Sequence, residues 1–280
     1  MQKEYRKEKT LYVSDLDGTL LRSDETLSDY TCEVINRLTE EGVLFSYATA
    51  RSVITARKAT KGLNAKIPVI VYNGAFVIDN VSGEVLLSNY FGTDAEMILQ
   101  ELLEYDVRPI VYSLYGGRER FCYVVSRQTE GMKFFVESRK GDPRETPVSS
   151  EEELFGGDIF YFSCIDEPEK LLSLYERFQE KHHCIYHKDI YSGAQWLEIL
   201  PVNASKANAV MQLKRYLNCE KVVAFGDGKN DMDMFEMADS CYAVSNAVEE
   251  LKAVADGVIG SNNDDSVAKW LEQQFAAGKN

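Results

Sequence analysis

The sequence predicts an α/β protein: a doubly wound, mostly parallel core domain interrupted by an inserted α+β module. Three observations predict it. Strand and helix signals alternate at both ends of the 280-residue chain. The strand–helix–strand spacing there is short, which favours parallel pairing with right-handed crossovers. The middle of the chain instead shows paired strands with helices between them.

Taken in order, Leu11, Tyr12 and Val13 form a short apolar strand running into Asp15. Ser28 is placed to N-cap a helix with Val34, Ile35 and Leu38 on one face and Gly42 as its stop. Val43 to Thr49 reads as a second strand, followed by a helix capped at Ser52 and running to Gly62. Ile67 to Tyr72 reads as a third strand, with Pro68 near its start. Phe76–Ile78 and Val85–Leu87 flank the turn signal Asn80-Val81-Ser82-Gly83 and are expected to pair as a hairpin.

In the middle, Thr93-Asp94-Ala95-Glu96 has the form of a capping box opening a helix. Strands are expected at Ile110–Tyr112, Phe121–Val125, Ile159–Cys164 and Cys184–His187, with helices near 128–139 and from Pro168 to Lys181. Trp196–Leu200 then reads as a return to the core, followed by a helix over Ser205–Leu217 and a strand over Val222–Phe225. Helices near 230–238, 247–255 and 264–275 alternate with short strands at 241–244 and 257–259. The expected division is a discontinuous core of residues 1–81 and 193–280 around an insert of 82–192.

Lys and Arg number 31 against 45 Asp and Glu, a net charge of -14. Such a chain is repelled by nucleic acid and by anionic lipid, and no Lys/Arg run builds a local basic patch. No window approaches the apolar length of a membrane span, and the first ten residues, MQKEYRKEKT, lack the apolar stretch of a secretory signal. The cysteines at 32, 122, 164, 184, 219 and 241 form no CxxC pair or zinc spacing. Reduced thiols and a cytoplasmic location are expected.

Four segments stand where open α/β sheets place their ligands, at strand ends and the helix starts beyond them. Asp15-Leu16-Asp17-Gly18-Thr19 puts two carboxylates just past a buried strand. Their mutual repulsion is tolerable if a cation binds; the plain alternative is an acidic turn. Ala48-Thr49-Ala50-Arg51 offers a hydroxyl and successive N–H groups to a phosphate, or simply a capped helix start. Lys206, at a helix start, opposes the helix dipole, which suggests that it answers an anion elsewhere. Gly226-Asp227-Gly228-Lys229-Asn230-Asp231 again sets carboxylates and glycines after a strand. Asp233 and Asp239 read as exposed helix residues.

Together these segments resemble the motifs of the haloacid dehalogenase-like (HAD) hydrolase superfamily, specifically its Cof-type phosphatases with a large inserted cap. Asp15 to Thr19 resembles the first motif, Thr49 the second, Lys206 the third, and Gly226-Asp227 with Asn230-Asp231 the fourth. Asn73-Gly74-Ala75 and Glu198-Ile199-Leu200-Pro201 also resemble segments common in this group. The match covers about 10–80 and 193–275, and Ala50 and Ala207 stand where the group commonly has Gly.

The resemblance implies a Rossmann-like core with an α+β cap, Mg²⁺ as cofactor, and hydrolysis of small phosphorylated metabolites through an aspartyl-phosphate. It makes Asp15 the nucleophile and Asp17 the general acid–base. Leu16, Thr49, Ala50, Lys206 and Asn230 become phosphate-binding residues. Metal ligation falls to Asp15, Asp17 (through its backbone carbonyl) and Asp227, with Asp231 behind them. A phosphomutase of the same fold and a non-catalytic phospholigand sensor remain as alternatives.

The insert reads as a lid that contacts the leaving group. Arg118 and Arg120 could touch an anionic substrate or sit at a solvated hairpin tip, and His182, His183 and His187 read as surface or packing positions. No nucleic-acid or membrane partner is expected, and the chain is expected as a monomer or small homo-oligomer.

Overall fold

The computed structural model describes residues 8–64, 66, 68–189 and 192–277. Ile67, assigned from sequence to the third strand, lies outside the described residues, as do residues 1–7 of the polar start. The chain divides into two compact units, Met1–Ser88 with Ser205–Asn280, and Asn89–Ala204.

The first unit begins with β1 (Thr10–Asp15), α1 (Asp29–Glu40), β2 (Leu44–Ala48), α2 (Val53–Ala59), β3 (Val69–Val71), β4 (Phe76–Ile78) and β5 (Val85–Ser88). Ser28 and Ser52 cap α1 and α2, accepting the N–H groups of Thr31 and Thr55. The β4–β5 hairpin forms as expected, and Asp79 organises its turn by accepting the N–H groups of Val81 and Ser82.

The second unit contains α3 (Asp94–Glu104), β6 (Ile110–Tyr115), β7 (Arg118–Val124), α4 (Glu130–Ser138), β8 (Glu145–Val148), β9 (Asp158–Asp166), α5 (Pro168–Phe178), β10 (His183–Lys188) and β11 (Gln195–Leu200). Its sheet runs β10-β11-β9-β6-β7-β8, antiparallel except for β7 with β8. Leu99, Leu102, Phe162, Leu171, Leu174 and Leu197 lie at the centre of its core. Arg144, only 5% exposed, is paired with Asp142 and Glu119, which answers the cost of burying its charge.

The first unit resumes with α6 (Lys206–Tyr216), β12 (Lys221–Gly226), α7 (Met232–Met237), β13 (Ser240–Ala243), α8 (Glu249–Val254), β14 (Gly257–Val258) and α9 (Ser266–Ala277). Its sheet has the order β14-β13-β12-β1-β2-β3-β4-β5. Pairing is parallel from β14 through β3 and antiparallel across β4 and β5. The chain reverses its winding direction at β1, with β12 on one side and β2 on the other, which is where doubly wound sheets open a crevice.

Four expectations need correction. Trp196–Leu200 is not a core strand but part of β11, paired antiparallel with β10 and β9. Accordingly the units part at 88/89 and 204/205 rather than at 81/82 and 192/193. An apolar strand reads the same whichever sheet receives it, so its pairing partners, not its composition, decide its unit. Thr93 makes no side-chain cap to α3, and Asp239 lies in a loop, where it accepts the Val222 N–H at 2.8 Å. Strand β8 gave no sequence signal: Pro147 and two polar residues in ETPV obscure it. Among the described residues, no helix is long and apolar enough to cross a membrane.

Candidate active site

The site grows from the ends of neighbouring strands. Parallel registers set Asp15 opposite Ala48 and Ser14 opposite Phe225, so the chain beyond β1, β2 and β12 emerges along one edge. After β1 the backbone makes a wide turn, closed by the Leu21 N–H on the Leu16 carbonyl at 2.8 Å. Gly18 turns it at φ 79, and a Cβ there would lie 2.3 Å from Asp227 Oδ2. No L side chain fits that approach. The neighbouring Thr19 hydroxyl donates to Asp227 Oδ1 at 2.9 Å.

Lys206 enters from the first turn of α6. That helix start is capped by Ser205 and packed against the turn Tyr72–Gly74. Tyr72, Asn73 and Gly74 all have positive φ, and a Cβ on Gly74 would lie 2.2 Å from the Ser205 carbonyl oxygen. This tight seat directs the ammonium of Lys206 inward, where it donates to Asp15 Oδ1 at 2.6 Å and Asp231 Oδ1 at 2.7 Å. The other oxygen of Asp231 accepts the N–H groups of Asp227 and Gly228, each at 3.0 Å.

One carboxylate oxygen from each of Asp15, Asp227 and Asp231 lies within 4.8 Å of the others. Burial pushes the Asp15 carboxyl well up; Lys206 opposes that shift, while Asp231, Asp227 and Asp17 add to it. Burial, then Asp231, raises Asp227 to about 6. Burial also works against the charge on Lys206, but Asp15 and Asp231 outweigh it and hold its pKa above the ordinary value. Fully ionised, three carboxylates and one ammonium leave two negative charges in excess, the complement of a divalent cation.

The remaining candidates surround this cluster along the chain. Leu16 and Thr49 are buried, and Thr49 Oγ1 accepts the Arg51 N–H at 3.1 Å. Ala50 and Asn230 are exposed. The side chain of Asp17 is absent from the buried cluster; its carboxylate, 47% exposed, is gripped by Arg51 through Nη2 on Oδ1 at 2.5 Å and Nε on Oδ2 at 2.8 Å. The same Nη2 donates to Glu25 at 2.7 Å. Burial works against the Arg51 charge, and Asp17 and Glu25 more than offset it, raising its pKa.

Sequence reasoning gave no role to Glu25 or to the guanidinium of Arg51, nor to the polar groups that hold the first loop. Asn246 donates to the Gly18 carbonyl and Asn262 to the Leu21 carbonyl. Asn263 bonds Ser23, and Asp265 accepts from Arg22, Ser28 and Thr31. The run Ser261-Asn262-Asn263-Asp264-Asp265 was the available signal, since so many turn-forming side chains together can bind backbone. Elsewhere, Arg120 donates to Ser113 and the Gly156 carbonyl, and His182 and His187 pack on aromatic rings.

Known proteins resemble this chain over nearly its whole length. A family model described as haloacid dehalogenase-like hydrolase matches residues 12–271. A putative phosphatase of Haemophilus influenzae is 29% identical over 265 residues, covering 94% of this chain and 97% of that protein. The 5-amino-6-(5-phospho-D-ribitylamino)uracil phosphatase YitU of Bacillus subtilis is 23% identical over 269 residues, covering 95% of this chain and 97% of the other. The crystal structure of TM0651 from Thermotoga maritima superposes with a TM-score of 0.77 at 26% identity, covering 95% of this chain and 97% of that one.

Proposed function

The chain belongs to the haloacid dehalogenase-like hydrolase family and is a phosphoric monoester hydrolase, and we propose that it hydrolyses small phosphorylated metabolites, sugar phosphates or cofactor phosphates, through an aspartyl-phosphate on Asp15. The observation that carries this reading is the buried group of Asp15, Asp227, Asp231 and Lys206 at the switch point of the sheet. A nucleophile, a hard-oxygen cation site and a fixed ammonium within hydrogen-bond reach are what phosphoryl transfer requires.

Asp15, the Asp17 carbonyl and Asp227 would hold Mg²⁺. Asp231, with both carboxylate oxygens already bonded to Lys206 and to two backbone N–H groups, would stand behind them. The all-oxygen donor set and its excess negative charge fit such an ion. Bound there, it would neutralise charge shared by the phosphoryl oxygens and the nucleophile.

Asp15 attacks phosphorus as the P–O bond to the leaving group breaks, and Asp17 gives that oxygen a proton. Asp17 then takes a proton from the water that hydrolyses the aspartyl-phosphate, which returns Asp15 to its starting state. Lys206, Thr49 and Asn230, with the N–H groups of Leu16 and Ala50, bind the phosphoryl oxygens and stabilise their charge. The place of residues 89–204 between β5 and α6 supports their reading as a cap domain. The phosphorylated pyrimidine named for the Bacillus subtilis relative supports a cofactor-type substrate class.

The test is phosphate release from a panel of phosphorylated sugars, nucleotides and cofactor precursors, with Mg²⁺ and with chelator. Asp15→Asn is run beside the natural protein. Metal-dependent release that vanishes in the variant is expected; release that persists in folded Asp15→Asn protein would remove Asp15 as the nucleophile.

A further inference from the structure

Arg51 is the one cation that touches Asp17 among the described contacts, and the mechanism above does not use it. Its two-point grip on the carboxylate is shared through Nη2 with Glu25, so one guanidinium is fixed between two acids. Arg51 is mostly covered, with 20% of its side chain exposed, whereas the carboxylates of Asp17 and Glu25 are each 47% exposed. An aspartate so exposed would otherwise sample several staggered rotamers. A planar fork on both oxygens admits one.

A second, independent feature concerns the backbone under Glu25. Its φ is 61, in the left-handed region that glycine occupies without steric cost and glutamate does not. The residue caps a turn closed by the Arg22 N–H on the Thr26 carbonyl and the Glu25 N–H on the Arg22 carbonyl, each at 2.9 Å. That turn is anchored in turn through Arg22 to Asp265 and through Ser23 to Asn263. A strained position on a rigidly held turn therefore carries a side chain whose carboxylate meets Arg51.

We infer that Arg51 and Glu25 are positioning residues for Asp17: Arg51 orients the carboxyl that protonates the leaving oxygen, and Glu25 holds Arg51 in place to do so. The inference rests on the reading of Asp17 as that proton donor. It has a chemical signature. As the Asp15–phosphorus bond forms and the bond to the leaving oxygen breaks, an alkoxide leaving group needs the Asp17 proton, whereas p-nitrophenolate departs as a stable anion. A misaimed Asp17 must therefore harm alkyl phosphates selectively. The comparison belongs on kcat/KM, which reports steps through formation of the aspartyl-phosphate and omits the common hydrolysis of that intermediate.

The experiment compares the alkyl phosphate turned over fastest in the panel with p-nitrophenyl phosphate, in Glu25→Gly, Arg51→Lys and Asp17→Asn proteins. For Glu25→Gly, kcat/KM on the alkyl ester is expected to fall about 10- to 100-fold, with p-nitrophenyl phosphate changed by about twofold or less. The urea midpoint of Glu25→Gly should stay level or rise, because glycine relieves the left-handed backbone; a purely structural role would lower it. Arg51→Lys keeps the charge without the fork and should show the same selectivity.

Equal losses on both substrates, or no loss in either variant while Asp17→Asn remains selective, would overturn the inference and leave Asp17 as the acid. Equal losses in Asp17→Asn itself would instead remove Asp17 as the proton donor, and the inference with it.

Discussion

Replacing Lys206 by methionine keeps the length of a buried side chain and deletes the ammonium that pairs with Asp15 and Asp231. At nitrogen–oxygen separations of 2.6 and 2.7 Å, each attraction lost is about 6 kcal/mol at an effective dielectric of about 20. Desolvation of the three groups offsets much of this. An abandoned carboxylate can also take up a proton, which limits the loss. Starting from the ordinary aspartate value of 3.8, protonation at pH 7 costs about 4 kcal/mol, at about 1.4 kcal/mol per pH unit. A net loss of about 3–5 kcal/mol is therefore expected in metal-free protein.

The sign of the pH dependence follows from Asp15. Lys206 opposes the upward push of burial on that carboxyl, so its removal raises the folded-state pKa further. A raised carboxyl loses stability as pH rises, so the variant should lag most at neutral pH and recover toward pH 5. There the protonation cost falls to about 2 kcal/mol.

The assay is urea unfolding followed by Trp270, which packs on Phe225 and Tyr242 beside β12. The chain has two tryptophans, so a Trp196→Phe background makes the signal specific to the unit that holds the site. The midpoint should drop by roughly 1–2 M, and saturating Mg²⁺ should restore part of it. An unchanged midpoint, or a deficit that grows on acidification, would refute the charge balance described above.

Further outcomes follow from single contacts. Gly18→Ala places a Cβ 2.3 Å from Asp227 Oδ2 at a φ of 79, so Asp227 must move; Mg²⁺ affinity, read from thermal stabilisation against metal concentration, should fall at least about tenfold. Because Asp227 stands near 6 without metal, its proton competes with the cation, and Mg²⁺ should raise the melting temperature more at pH 7.5 than at pH 5. Equal stabilisation at both would place the ion elsewhere. Asp265 lies below the usual carboxylate range: burial opposes this, but hydrogen bonds from Arg22, Ser28 and Thr31 prevail. Its contribution is present above the unfolded value and lost as pH falls through the lowered one, so Asp265→Asn should cost about 1–3 kcal/mol at pH 7 and less at pH 3.

The local chemistry of this chain was legible in its sequence. Ser28 and Ser52 capped α1 and α2, and the run Asn80 to Gly83 turned the β4–β5 hairpin, because caps and tight turns depend on neighbours within a few residues. Asp15, Asp227 and Lys206 also declared themselves, each at a strand or helix end where a charge needs a reason. The misfit of Lys206 with its helix dipole was a real signal: its ammonium meets Asp15, 191 residues away in sequence, and Asp231.

Tertiary structure decided what local pattern leaves open. Trp196–Leu200 reads as an apolar strand in any sheet, and only its pairing with β9 and β10 assigns it to the second unit. In the sequence, Glu25, Asn246 and the guanidinium of Arg51 carry no mark of their contacts, and the run 261–265 signals backbone binding without naming its partners. The contacts of Glu25, Arg51 and the asparagines at 246, 262 and 263 are with partners 26, 34 and more than 200 residues away. The sequence by itself determined which groups could do chemistry, since that is a property of each side chain and its nearest neighbours. Which of them meet, and which carboxyl is buried beside an ammonium while another is held in solvent by a guanidinium, was set only when the strand ends closed on one another. Distance and burial are properties of the folded chain.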